Sequence, residues 1–202
     1  KTLFPYTTLF RSAVPVGQGA MAAILGLDAQ AVIDGCAQAA AATGEVVSAA
    51  NFNDPKQTVI SGSQAGVAKA CELLKAAGAK RALPLAVSAP FHCALMQPAA
   101  EVLRARLADV AIHVPRFPVV NNVDVAAPAE PDAIRSALYR QASGPVRWVE
   151  VVQALKAHGA THIVECGPGN VLTGMVRRID GDLVSAAIFD PASLAQAKEL
   201  LA

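Results

Sequence analysis

One ordering of elements limits the fold of this chain more than any other feature: strand, helix, strand, strand, helix, strand over Gly17 to Ser88. Met21–Leu25 reads as a short buried strand, and Asp28 as the N-cap of a helix running to about Ala42, with Val32, Ile33 and Cys36 as its apolar stripe. Val46–Phe52 and Gln57–Ile60 read as strands paired across the turn signal Asn53-Asp54-Pro55. Gly62 and Ser63 open a second helix carrying Val67, Cys71, Leu73 and Leu74, Gly78 closes it, and Arg81–Leu85 is the last strand. This is the split βαβ pattern, so a ferredoxin-like (βαββαβ) small domain is expected over residues 17–88.

Between Ser88 and Met96 the chain turns a corner. Pro90 stiffens the backbone on both sides of itself, and His92 follows two residues later, ahead of a helix predicted from Cys93 with Leu95, Ala99, Val102, Leu103 and Leu107 as its stripe. An imidazole just outside a helix N-terminus is favoured in its neutral form, which is the form a general base needs. Such a histidine is also compatible with a packing or capping role.

Beyond the corner the rhythm changes. Phe117–Asn121 is expected as a buried strand, helices are expected near 132–141 and 146–158, and His162–Glu165 as another strand. Cys166-Gly167-Pro168-Gly169-Asn170 then turns into a helix carrying Val171, Leu172, Met175 and Val176, before a strand at Leu183–Ile188 and a helix from Pro191 to Leu201. Strands joined by helices imply a parallel sheet, with too few strands here to complete one. The glycine turn lacks the spacing of a dinucleotide fingerprint and the lysine of a P-loop, so a plain strand-to-helix turn is the better reading. Asn51, Asn53, Asn121 and Asn122 stand at predicted strand ends, where asparagine commonly serves turns.

Composition narrows the function classes. Hydrophobic residues make up 53% of the 202, charged residues 16% with a formal net charge of +1, and aromatics only 4%, so a real core is affordable and nothing invites nucleic acid. The four cysteines show neither C-x-x-C nor histidine at ligand spacing, which argues against a metal and for reduced thiols in the cytoplasm. No run is long and apolar enough to span a membrane. Thr2–Ser12 resembles the translation of a sequencing-library adapter, so residues 1–12 are expected to be a non-native segment.

VSAPFHCALM, then PVVNNVD, R-x-A-L-x-R-Q, P-V-x-W and E-C-G-P-G-N-V-L-T-G-M-x-x-R, in that order, resemble the malonyl-CoA:acyl carrier protein transacylase family from Ala13 to the C-terminus. GAMAAILGL, NFNDPKQTVISG and AGAKRALPL extend the resemblance through the small domain. It implies an α/β fold in which the ferredoxin-like domain is joined to an α/β-hydrolase-like acyltransferase large domain, whose C-terminal part would be residues 89–202. It also implies ping-pong transfer of malonyl from CoA to the phosphopantetheine thiol of acyl carrier protein through a serine ester, with no cofactor and a monomeric enzyme. By the same resemblance His92 is the base, Gln141 offers the main-chain carbonyl that orients it, Asn51 lines the cleft, and Phe91 favours malonyl by its bulk. The family's G-x-S-x-G serine has no counterpart among these residues, and neither has its malonate-binding arginine, so a truncated enzyme, inactive by itself, is expected. A polyketide synthase acyltransferase domain and a non-catalytic binding module are the alternatives.

Overall fold

The computed structural model describes residues 14, 15 and 17–201; the segment expected to be non-native lies outside them. Six elements come first: β1 (Gly19–Leu25), α1 (Ala29–Thr43), β2 (Val47–Asp54), β3 (Gln57–Ser63), α2 (Gln64–Ala76) and β4 (Arg81–Pro84). The strands form one antiparallel sheet in the order β2-β3-β1-β4. The predicted caps operate: the Asp28 carboxylate accepts from the Ala31 amide at 2.9 Å, and the Ser63 hydroxyl accepts from the Gly66 amide at 3.0 Å.

The period-two alternation of the strands divides the sheet into two faces. Ala22, Ile24 and Ile60 meet Val32, Cys36, Ala39, Val67, Ala70 and Leu74 from the two helices in the main core. Burying one such Leu or Ile stabilises by ~1.5–3 kcal/mol, so Ile24, Ile60 and Leu74, all fully buried, anchor this layer. Met21, Ala23, Ala50 and Val59 point the other way, and there Phe91 packs on them. The second face therefore carries the His92 corner.

A single 3₁₀ turn at Ala94–Met96 leads into α3 (Gln97–Ala108), followed by α4 (Pro131–Ser143), α5 (Trp148–Ala157), β5 (His162–Cys166), α6 (Val171–Ile179), β6 (Val184–Ile188) and α7 (Pro191–Leu200). β5 and β6 pair in parallel, as a helical crossover requires, over a small core of Val152, Val176 and Leu183. Two devices join this region to the first sheet. Val146 docks along the edge of β2, donating to Ala50 O at 2.8 Å and accepting from Phe52 N at 2.9 Å. Arg178 of α6 donates to the buried carboxylate of Asp54 at 2.7 Å, while the other oxygen of Asp54 holds the β2–β3 turn through the Lys56 amide at 2.9 Å.

Four expectations need correction. Phe117–Asn121 is not a strand: Pro115 and Pro118 remove donors, the Asn121 side chain accepts from Asp124 N at 2.7 Å to start a turn, and Phe117 is 72% exposed. In α3 only Val102 departs from the expected stripe: it faces out, while Ala99 is buried and Leu95, Leu103 and Leu107 are partly buried, with Met96 and Ala100 completing the inner face. In α6 the stripe is reduced to Val176 beside Thr173, with Val171 and Leu172 exposed. β2 runs on to Asp54, so Asn51 sits inside the strand, at a bulge, rather than at its end.

Candidate active site

The corner is built by close packing. A Cβ on Gly19 would lie 2.4 Å from the Pro90 ring, so only glycine lets β1 pass beneath the proline. Val14, Ala89, Met96 and Ala99 form a small cluster on which Phe91 also rests, so that phenyl ring spans both this cluster and the sheet. The Cys93 thiol donates to Pro90 O at 3.1 Å, and Met96 N donates to Cys93 O at 2.9 Å. Between these fixed neighbours His92 is held at φ +61°, a left-handed conformation that few non-glycine residues adopt. Backbone strain of this kind persists where surrounding contacts over-determine it, and it concentrates at functional sites.

The half-buried imidazole has a defined orientation. Its Nδ1 lies 3.2 Å from the main-chain oxygen of Gly144. A carbonyl only accepts, so Nδ1 carries the proton and Nε2 keeps a free lone pair. Burial pulls the His92 pKa below its ordinary value, against the carbonyls of Gly144 and Gln141, which favour the charged ring. Near neutral pH the ring is therefore a neutral base with Nε2 as its acceptor.

Gly144 closes α4, its amide donating to Arg140 O at 2.8 Å. A Cβ there would stand 2.8 Å from that same oxygen and 2.7 Å from Val123 Cγ2, so the position excludes a side chain. Gln141, one turn earlier, contributes the lesser of the two carbonyls, while its side-chain oxygen accepts from Asn122 N at 3.1 Å and ties down the loop that precedes α4. His92 and Gln141 are thus brought together, and Phe91 adjoins them. Asn51 approaches only through the backbone: it is bridged to Val146, two residues beyond Gly144, and among the described residues its side chain makes no hydrogen bond to His92.

The glycine turn has its helix terminus filled from within. Glu165, at the end of β5, accepts from the Thr173 amide at 2.8 Å and the Thr173 hydroxyl at 2.9 Å. Burial would raise its pKa, but these bonds and the amides of Leu172 and Val171 outweigh burial and hold it below the usual carboxylate range. An ionised carboxylate already occupies the positive end of α6, which agrees with the plain-turn reading. Among the described residues no group of three or more His, Cys, Asp or Glu could hold a metal ion, and no helix is long and apolar enough to cross a membrane.

The acyl transferase domain family matches residues 3–186, most of the chain. The chain belongs to that family. The match begins inside the Lys1–Ser12 segment. The chain is 52% identical over 193 residues to a malonyl CoA-acyl carrier protein transacylase of Haemophilus influenzae, covering 96% of this chain and 61% of that one. With the Escherichia coli K12 protein of the same name it shares 50% identity over 94% of its length and 61% of the relative's. Its structure superimposes on an acyl-carrier-protein S-malonyltransferase from Burkholderia pseudomallei with a TM-score of 0.93 at 56% identity, covering 96% of this chain and 62% of the other. A malonyl-transacylase solved in complex with its type II PKS acyl-carrier protein gives 0.93 at 49% identity, again over 96% and 62%. The chain thus spans about 61% of the length of the curated relatives it matches.

Two residues that shape this region, Gly144 beside the imidazole and Glu165 at the glycine turn, carry little signal in the sequence. Gly144 acts through a main-chain atom that every residue type possesses, so the only trace available was a glycine three residues after Gln141. Glu165 was legible in principle, as an acid immediately before a glycine turn into a helix.

Proposed function

We propose that this chain supplies the general base and part of the cleft of a malonyl-CoA:acyl carrier protein transacylase, with His92 as the catalytic base. The observation that carries the reading is the His92–Gly144 hydrogen bond, which leaves Nε2 free on a ring held at a strained corner. In the first half-reaction Nε2 takes the proton of a serine hydroxyl as its oxygen attacks the malonyl thioester carbonyl, and returns that proton to the departing CoA sulfur. In the second, the carrier's phosphopantetheine thiol gives its proton to the same nitrogen as its sulfur attacks the serine ester carbonyl; the acyl–oxygen bond breaks, the serine oxygen takes that proton back from Nε2, and the carrier leaves with the malonyl group as a thioester. Gln141 and Gly144 position the ring, Phe91 narrows the pocket against methyl-branched acyl groups, and Asn51 lines the cleft. The likeness to the complex with a type II PKS acyl-carrier protein supports a second reading, in which the carrier serves polyketide assembly.

In the same proposal residues 17–88 form a ferredoxin-like small domain, a reading supported by the strand order β2-β3-β1-β4. Residues 89–202 form part of an α/β-hydrolase-like large domain, supported by the parallel pair β5 and β6. Cys36, Cys71, Cys93 and Cys166 are free thiols, which suits a reducing cytoplasm.

The sequence contains no G-x-S-x-G, so the test compares two proteins. One is this 202-residue chain; the other is a chimera in which the N-terminal segment of the Burkholderia pseudomallei relative is joined at Ala13. Given labelled malonyl-CoA and holo acyl carrier protein, the chimera should acquire a serine ester and pass label to the carrier, while the chain alone acquires none. A folded chimera that takes no label, or stable label on a serine of the chain alone, contradicts the proposal.

A further inference from the structure

α3 and α4 are tied together by a compact polar network that the acyl-transfer reading leaves unused. Tyr139 Oη donates to Glu101 Oε1 at 2.5 Å, Gln97 Nε2 donates to Tyr139 Oη at 2.6 Å and to Glu101 Oε1 at 3.0 Å, and Ser143 Oγ donates to Gln97 Oε1 at 3.0 Å. Arg104 completes it, paired with Glu101 at 2.7 Å and lying 5.6 Å from the centre of the Tyr139 ring. Its place in the chain gives it meaning. Gln97 lies five residues after His92, at the start of the helix that the corner feeds, and Ser143 immediately precedes Gly144, whose carbonyl holds the ring. The His92–Gly144 bond and the Ser143–Gln97 bond therefore close a ring of covalent and hydrogen-bonded links, with Tyr139 and Glu101 bracing it one turn away on each helix.

We propose that Gln97 and Tyr139, braced by Glu101, are positioning residues for the His92 base, a role that rests on the acyl-transfer reading for its purpose but not for its geometry. The contacts are partly exposed, so they add little to global stability. Their effect is local: α4 can slide against α3 only by changing the distance from Gly144 O to Nδ1. The hydrogen bond from Tyr139 keeps Glu101 below the usual carboxylate range, and Glu101 pushes the Tyr139 hydroxyl up, so the link keeps its protonation pattern across neutral pH.

The test reads the His92 ring itself. The ¹⁵N shifts of labelled histidine are measured in the 202-residue chain and, in parallel, in the chimera, for the parent, Tyr139→Phe, Gln97→Ala and the double substitution. The parent should show a protonated Nδ1 and an unprotonated Nε2. The double variant should lose this signature and move toward the mixed tautomers of a free imidazole, whereas Glu101→Gln, which still accepts from Tyr139, should keep it. Val102→Ala, on the exposed side of α3, serves as the control for general loosening. In the chimera the double variant should lower kcat about tenfold with KM for malonyl-CoA unchanged, the pattern of lost positioning rather than lost binding. A double variant with the parental ¹⁵N signature overturns the proposal, as does an equal shift in Val102→Ala. A chimera with no transferase activity would sink the acyl-transfer reading and leave the tautomer result standing.

Discussion

Residues 19–84 and residues 94–200 use the same kinds of element at similar hydrophobicity, yet they bury their apolar side chains to different degrees. In the first region four strands pair continuously and two helices cover one face, so Ile24, Val32, Ile60 and Leu74 lose nearly all contact with water. In the second, two parallel strands stand alone among the described residues, and Val102, Val114, Phe117, Val119, Val171 and Phe189 are all more than half exposed. Antiparallel sheets tolerate one wet face; parallel pairs are found covered on both. The first region supplies a rigid platform, and the His92 corner draws its order from it through Phe91, Pro90 and the Val146 bridge.

The most damaging single change should be Leu74→Ala. It empties the centre of the first core and should cost about 2–5 kcal/mol by chemical denaturation, and a loss under about 1 kcal/mol would show that this core is not the anchor. Native-state hydrogen exchange compares the regions directly: amides of β1 and β3 should exchange on the order of a hundredfold more slowly than those of β5 and β6, since small sheets open at lower free energy. Equal protection would erase the distinction. Arg178→Ala removes the cation from a buried Asp54 and should cost about 1–3 kcal/mol, loosening the attachment of α6 to β2 rather than either core. Asp54→Asn keeps one acceptor oxygen but turns its NH2 toward either the Arg178 Nε–H or the Lys56 amide, so it should cost at least as much, and a clearly smaller cost would assign the effect of Arg178→Ala to packing.

The smallest effect is with pH. The folded-state pKa of His92 lies below its unfolded value of about 6.5, so between these values the unfolded chain binds more protons than the folded one. The contribution of His92 is complete above about pH 6.5 and is lost as pH falls through the folded pKa. The melting temperature should therefore drop more steeply from pH 7 to about 5.5 in the parent than in His92→Gln. Parallel curves would mean that the ring is solvated in the folded state.

Much of the first region is legible in its residues because local rules agree there. Asp28 and Ser63 cap the helices they precede, Asp54 makes the turn, and the strand alternation matches the two faces of the sheet. Agreement fails where the decisive partner is remote. Phe117–Asn121 has strand composition but no strand beside it among the described residues, and the prolines and Asn121 then prevail. In α3 the three- and four-residue spacing marks the inner face through Leu95, Ala99, Leu103 and Leu107, and only Val102, at its margin, turns to solvent. At the site, a histidine after a proline corner is visible and the resemblance points to the Gln141 carbonyl, but the nearer carbonyl of Gly144 is not visible, because main-chain oxygens leave no mark on the choice of residue.

If His92 is the base of an acyl transfer, one substitution in the chimera removes the reaction without removing the fold. His92→Ala should fold as the parent does, since a half-buried ring contributes little packing, and should lower kcat for malonyl transfer on the order of a hundredfold or more. A folded His92→Ala chimera whose kcat stays within a few-fold of the parent would contradict the account.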